Sequence, residues 1–354
     1  MTEVVPVDPR EPAKEAIARA ADCLRDGGLV AFPTETVYGL GVCALDEDAV
    51  RRLFEVKGRP SNDPLIVHVA SFDQIGALVS RIPSTARDLA ARFWPGPLTL
   101  VMPRSTLVPD VVTAGLDTVA IRIPSHPVAH ALLSASGLPI AAPSANLFSR
   151  PSPTTAAHVM EDLEGRIEMV LDGGPTQVGV ESTVLDLAHG VPTVLRPGWV
   201  DVEALRSVLP RVEVREGAAD SGAAMASPGM LERHYSPRAP LTLYEGGTDA
   251  AIERIVADAR EAHRAGARIG VLTVRDLAGR IRERLAPRFS AHIEDVGAVS
   301  RPAEIAAHLY AALRSLDGAR VDVIFAHVPT EATGVGVTIR DRLNRAAAGR
   351  IRRT

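Results

Sequence analysis

Lysine is nearly absent from this chain of 354 residues: only Lys14 and Lys57 are present, and the rest of its 39 strong bases are arginine. A sequence that has moved to arginine wherever either base serves keeps lysine where a compact ammonium is needed, because a planar guanidinium is not its equivalent. Lys57 is therefore a first candidate for chemistry, with chance survival at an exposed helix end as the alternative. Cysteine is as scarce. Cys23 and Cys43 are too few and too far apart for a disulfide framework or a zinc cage. Cys23 sits among helix-forming residues, Cys43 reads as part of a small-residue loop, and both read as bystander thiols. Aromatics make up 4% of the residues and the formal net charge is -4. Neither a stacking platform for bases nor a basic field for unspecific contact with nucleic acid or membrane is expected. No apolar run reaches the ~18 residues needed to cross a bilayer. The stretch Met1-Thr2-Glu3-Val4-Val5-Pro6 has no positively charged start leading into an apolar segment. A cytoplasmic protein is expected.

Familiar catalytic patterns are missing too. There is no Gly-Lys pair, which excludes a Walker A loop, and no His-Glu-x-x-His or Gly-x-Ser-x-Gly. No carboxylate, His or Cys cluster marks a protein-built metal site. No Gly-x-Gly-x-x-Gly turn follows the first strand of the C-terminal half. Gly334-Val335-Gly336, ahead of a helix, reads either as an anion-binding turn or as a plain tight connection.

What is present is a globular composition, 46% hydrophobic and 23% charged, with length for about two domains. Ala13, Ile17, Ala20, Ala21 and Leu24 recur at helical spacing before Gly27-Gly28. A buried strand is predicted at 29–32, and Asp46 is placed to cap a helix that ends near Lys57-Gly58. The segment 65–69 is apolar on both faces and so reads as a central strand. Further strands are predicted at 98–102, 118–123, 139–142, 169–171, 182–187 and 193–195, with helices at about 83–93, 127–135, 155–163 and 201–208. These give an α/β domain over 1–210 built on a twisted mixed sheet of about seven strands. The stretch 216–229 is small and polar, and a linker or lid over 211–239 is expected. Beyond it, strands at about 241–245, 268–274, 290–295 and 321–326 alternate with helices at 249–264, 276–285, 302–316 and 338–348. That alternation predicts a smaller doubly wound, Rossmann-like domain over 240–354.

Polar residues of the first domain collect at strand ends and in Pro- or Gly-rich loops, where open α/β sheets place ligands. They are Thr34, Glu35, Thr36, Lys57, Arg59, His68, Thr118, Arg122, Ser144, Asn146, Ser152, Ser182 and Arg196. Four of them are cations suited to a polyanion. His68 alone reads equally as a core histidine. Arg122 is a stronger candidate, since an unpaired arginine inside the apolar run Val119-Ala120-Ile121-Arg122-Ile123 would be costly.

Several motifs carry a resemblance that composition could not give. Phe32-Pro33-Thr34-Glu35-Thr36-Val37-Tyr38-Gly39-Leu40-Gly41, Lys57-Gly58-Arg59-Pro60 with Pro64-Leu65-Ile66-Val67-His68, and Trp94-Pro95-Gly96-Pro97-Leu98-Thr99 are followed in order by Ala142-Pro143-Ser144-Ala145-Asn146, Gly179-Val180-Glu181-Ser182-Thr183 and Leu195-Arg196-Pro197-Gly198. Together they resemble the YrdC-like threonylcarbamoyl-AMP synthases, and Pro228-Gly229-Met230 with His234-Tyr235-Ser236-Pro237 resembles the linker of that family's long two-domain branch. The resemblance implies a nucleotidyltransferase that joins L-threonine, bicarbonate and ATP into threonylcarbamoyl-AMP and pyrophosphate. A separate transferase complex would then carry the group to the tRNA adenosine beside the anticodon. It assigns Thr34, His68, Arg122 and Ser182 to threonine or its carbamate, and Lys57, Arg59, Ser61, Thr118, Ser144, Asn146, Ser152, Arg196 and Tyr235 to ATP or the adenylate. Lys57 and Arg59 would be the catalytic cations, Tyr235 would belong to a lid, and Mg2+ is expected with ATP. Two other functions remain to be weighed. Carbamoyl transfer in hydrogenase maturation uses a related domain, in much longer proteins with zinc-finger-like regions that two cysteines cannot supply. A non-catalytic RNA-binding factor would need the basic surface and aromatics that are missing here.

Overall fold

The computed structural model describes residues 1–215, 225, 227, 234–286 and 289–354. Most of the expected linker, including Pro228-Gly229-Met230, lies outside the described residues. The chain divides into two compact units, Met1–Phe148 with Ser152–Leu231, and Ser149–Pro151 with Glu232–Thr354.

Among the described residues eleven strands build the first unit: β1 (Glu3–Pro6), β2 (Val30–Pro33), β3 (Tyr38–Cys43), β4 (Ile66–His68), β5 (Leu98–Pro103), β6 (Thr118–Arg122), β7 (Ile140–Ala141), β8 (Met169–Asp172), β9 (Thr183–Asp186), β10 (Thr193–Arg196) and β11 (Glu213–Val214). They form one mixed sheet in the order β1-β8-β2-β3-β7-β4-β6-β5-β9-β10-β11. β4 is the middle strand, as its two apolar faces require. The expected seven strands were too few, and Cys43 belongs to a strand rather than to a loop. β3 was hidden by Gly39 and Gly41, since glycine weakens strand propensity. The structure shows why glycine is used: a Cβ on Gly41 would lie 2.8 Å from both Phe32 Cε1 and Ile140 Cγ2.

Helix boundaries follow local chemistry. The Asp46 carboxylate accepts from Asp48 N and Ala49 N, each at 3.0 Å, and caps the helix Glu47–Lys57. Gly58, left-handed at φ 62°, ends it. One face of the sheet is covered along its length by the core that includes Val50 and Leu53, Leu89, Val159 and Leu205 from its helices. The opposite face carries the helices Lys14–Arg25 and Pro127–Ser136, which bury Leu24 and Leu132 over β2, β7 and β8. Over β4, β6, β5, β9 and β10 that face carries a small apolar cluster made, among the described residues, from strand residues alone.

The second unit holds β12 (Leu241–Glu245), β13 (Ile269–Thr273), β14 (His292–Asp295), β15 (Val323–His327) and β16 (Ile351–Arg353), all parallel in the order β14-β13-β15-β12-β16. The helices Thr248–Arg264, Arg275–Leu285, Pro302–Gly318 and Val335–Ala347 alternate with the strands. Four strands and four helices fall where the periodicity predicts. β16 was not expected, because Ile-Arg-Arg is exposed throughout and charged in the way that edge strands are. No helix among the described residues is long and apolar enough to cross a membrane.

Candidate functional site

On this half of the face the floor consists of Ile66, Val101, Ala120, Val184 and Leu195. Residues two apart along a strand share a side. His68 therefore stands beside Ile66, Thr118 and Arg122 flank Ala120, Thr99 stands beside Val101, and Ser182 precedes Val184 by two. An apolar floor thus acquires a polar rim.

At one end of the floor the β4–β6 register sets His68 opposite Arg122. Arg122 is 4% exposed. Its Nε donates to Gly96 O at 3.2 Å and its Nη1 to Thr36 Oγ1 at 3.0 Å. The Glu35 carboxylate lies 2.8 Å from Nη2 as an ion pair. The angles do not make that contact a hydrogen bond, so Nη2 and both Glu35 oxygens have no directed partner among the described residues. His68 is also buried, and its Nδ1 has no hydrogen-bond partner among the described residues. Burial, followed by the Arg122 charge, pushes the His68 imidazole down to about 3, so it is neutral at physiological pH.

The turn that supplies Thr36 is built by Thr34. The Thr34 hydroxyl donates to Val37 O at 2.6 Å and accepts from the N–H groups of Thr36 and Val37 at 3.2 Å. Since that proton is committed to a carbonyl, the 2.8 Å contact between the two threonine hydroxyls is donated by Thr36. The loop carrying Ser182 is tied to the same turn through Val178 N to Glu35 O at 2.9 Å and Gly179 N to Thr36 O at 3.0 Å. Ser182 Oγ lies 2.8 Å from Thr99 Oγ1, and Arg196 Nη2 donates to Ser182 O at 2.9 Å and to its hydroxyl at 3.2 Å. The register shifts between Val194 and Arg196, re-aiming the arginine as bulges do. Gly198 is required behind it, because a Cβ there would fall 2.2 Å from Thr183 N.

A second group gathers where the helix Glu47–Lys57 ends. The Lys57 ammonium, 2% exposed, donates to the carbonyl oxygens of Ser144 and Asn146. The negative end of its own helix favours the charge. Arg59 Nη2 donates to Pro64 O at 2.8 Å and pairs with the buried Asp63 carboxylate at 2.8 Å. Ser152 Oγ donates to Glu181 Oε1 at 2.6 Å, one residue from Ser182. Thr118 lies at the start of β6, four residues and roughly 13 Å along the strand from Arg122. Ser61 is exposed in the turn before Pro64.

Tyr235 lies in the second unit. It is buried there with its ring stacked on Tyr310 at 5.4 Å, edge-on to His234 at 4.0 Å, and 5.0 Å below the Arg342 guanidinium. The sequence reading collected Glu35 and Thr36 as candidates without assigning either a ligand, and it did not single out Thr99, Glu181 or Asp63. The first four lie inside the quoted motifs, and Asp63 follows Arg59 by four residues, so proximity within motifs was the signal available. Among the described residues no group of three or more His, Cys, Asp or Glu side chains could hold a metal ion.

Residues 22–198 match the Sua5/YciO/YrdC family model, which is described as telomere recombination, and residues 200–348 match the model of the threonylcarbamoyl-AMP synthase C-terminal domain. The chain is 48% identical over 337 residues to a threonylcarbamoyl-AMP synthase of Bacillus subtilis, covering 95% of this chain and 94% of that one. It is 45% identical over 357 residues to that of Pyrococcus abyssi, covering 99% of each. A crystal structure of P. abyssi Sua5 complexed with L-threonine superposes with a TM-score of 0.90 at 43% identity, covering 100% of both chains. A shorter relative from Mycobacterium tuberculosis, a putative threonylcarbamoyl-AMP synthase, is 38% identical and covers 59% of this chain and 96% of its own length.

Proposed function

The chain belongs to the threonylcarbamoyl-AMP synthase family, and from that membership we propose that it condenses L-threonine, bicarbonate and ATP into threonylcarbamoyl-AMP and pyrophosphate in the cytoplasm. The product supplies threonylcarbamoyl groups to a separate transferase complex that modifies the tRNA adenosine beside the anticodon.

Addition of the threonine amine to bicarbonate, with loss of water, gives a carbamate. A carbamate oxygen then forms a bond to the α-phosphorus as the bond to the β-phosphate bridging oxygen breaks and pyrophosphate leaves. This makes the enzyme a nucleotidyltransferase that needs no covalent nucleophile of its own. Its work is alignment and charge stabilisation. The single observation that carries the reading is the buried pair Arg122 and His68. Arg122 Nη2 and His68 Nδ1 face demands that a threonine carboxylate and hydroxyl would meet. Thr34 and Ser182 complete that end. Lys57, Arg59, Ser144, Asn146, Ser152 and Arg196 form the nucleotide end, with Lys57 and Arg59 countering charge on the phosphates. Thr118 and Ser61 contribute at its edge. Magnesium enters as part of the Mg–ATP substrate, ligated by phosphate oxygens and water. The described protein residues do not fit a resident metal.

The test is pyrophosphate release measured with each substrate withheld in turn. The reading predicts that release requires L-threonine and bicarbonate together, and that carbamoyl phosphate cannot replace them. Release with carbamoyl phosphate alone would transfer the site to the hydrogenase-type reaction.

A further inference from the structure

The second unit contains a cavity of about 310 Å³ at the carboxyl edge of its parallel sheet, bordered by the ends of β12 and β15 and by the helix Val335–Ala347. Open parallel sheets place ligands at this edge. His327, the last residue of the central strand β15, lines the cavity and is 2% exposed. Its Nδ1 lies 2.9 Å from Tyr244 O. A carbonyl oxygen can only accept, so Nδ1 carries the proton and Nε2 carries the lone pair. That Nε2 is buried and has no hydrogen-bond partner among the described residues. The backbone contact with Tyr244, together with the bond from Thr273 Oγ1 to His327 O at 2.9 Å, holds the residue rigidly in place. A buried acceptor fixed in this way is costly unless something donates to it.

The lining of the cavity also carries two residues of opposite charge, Glu245 at the end of β12, suited to a ligand ammonium, and a cation suited to its anionic group. Arg340 lines it from the helix, is exposed, and makes no hydrogen bond or ion pair among the described residues. This contrasts with its helix neighbour Arg345, which pairs with Asp341 at 3.1 Å. Gly334-Val335-Gly336 is a tight connection, since a Cβ on Gly336 would meet Glu331 O at 2.4 Å. Anion recognition at this cavity therefore falls to Arg340.

We propose that this cavity binds a small organic anion that also carries an N–H or O–H donor, of amino-acid or hydroxy-acid size. The anionic group pairs with Arg340 and the donor satisfies His327 Nε2. The volume stands at the small end of ligand pockets, which begin near roughly 300 Å³, and favours such a molecule over a nucleotide. The site is independent of the synthase reaction.

Calorimetry on the full chain tests it with glycine, L-serine and L-lactate as probes, and with acetate, which keeps the anion but lacks the donor. At least one of the three probes is expected to bind with one-to-one stoichiometry. Its affinity should fall on the order of tenfold or more in Arg340→Ala and in His327→Leu, stay unchanged in Arg122→Lys, and exceed that of acetate by a similar factor. Absence of binding by all three probes overturns the proposal, as does binding that Arg340→Ala leaves intact. If His327→Leu fails to fold, Arg340→Ala at its exposed position decides alone.

Discussion

Lys57 and Arg196 in the first unit are fixed by carbonyl and hydroxyl oxygens of Ser144, Asn146 and Ser182. In the second unit Arg254 and Arg352 converge on the carboxylate of Asp258, and Arg342 and Arg345 on that of Asp341. Neutral oxygens orient a cation without cancelling its charge, whereas a carboxylate cancels it. Bonds of the first kind leave the charge in place for an anionic substrate, and pairs of the second kind turn arginine into a structural cross-link. Arg59 and Arg122 lie between these cases, each hydrogen-bonded to neutral oxygens and ion-paired to one carboxylate. Charge content alone would not separate the units, since both are rich in arginine.

The sharpest way to break the comparison is to truncate one cation of each kind. Lys57→Ala should lower threonine- and bicarbonate-dependent pyrophosphate release by about 10²–10³, the range for losing one electrostatic stabiliser. Circular dichroism should remain native, although two carbonyl oxygens lose a donor at a cost of about 1–3 kcal/mol. Arg254→Ala in the second unit should leave turnover unchanged. Equal losses in the two variants would remove the distinction.

A smaller effect is expected from Arg122→Lys. The ammonium keeps the charge but cannot reproduce the fork that reaches Gly96 O and Thr36 Oγ1 while presenting Nη2. The KM for threonine should rise on the order of tenfold, with the KM for ATP little altered, as steady-state titration of each substrate would show. A rise confined to ATP would move Arg122 to the nucleotide end.

The smallest effect concerns pH. His68 is held neutral down to about 3, against an ordinary value of 6.5. As pH falls below 6.5 the unfolded chain takes up this proton and the folded chain does not. Stability contributed by keeping His68 neutral is therefore complete above 6.5 and declines towards 3, with a slope of at most about 1.4 kcal/mol per pH unit. Urea midpoints measured between pH 7.5 and 5 should decline less steeply in His68→Leu. His327 in the second unit is shifted in the same direction, mainly by burial, so His327→Leu should flatten the same limb. An unchanged slope in both variants would mean that other groups govern acid unfolding.

Much of this organisation was legible in the sequence. The second unit was read almost element by element, because its strands and helices alternate with clean periods. The first unit was harder. β3 carries two glycines, of which Gly41 packs closely against Phe32 and Ile140, and β11 is two residues long, so local pattern underestimated the sheet. The candidate site residues read as motif members; Glu35 and Thr36 were collected among them without an assigned role, and Thr99 was not singled out, because nothing in their spacing says what they touch.

By itself the sequence determined the elements, the retained lysine, and the set of cations and hydroxyls, since propensity, capping and side-chain chemistry are local properties. Only the tertiary structure decided that His68 faces Arg122, that Ser182 meets both Thr99 and Arg196, and that the apolar cluster over half of one sheet face is built, among the described residues, from strand residues. Each of these depends on strand register and on crossovers between distant segments. Register is chosen by the fit of whole faces rather than by any residue's own preference.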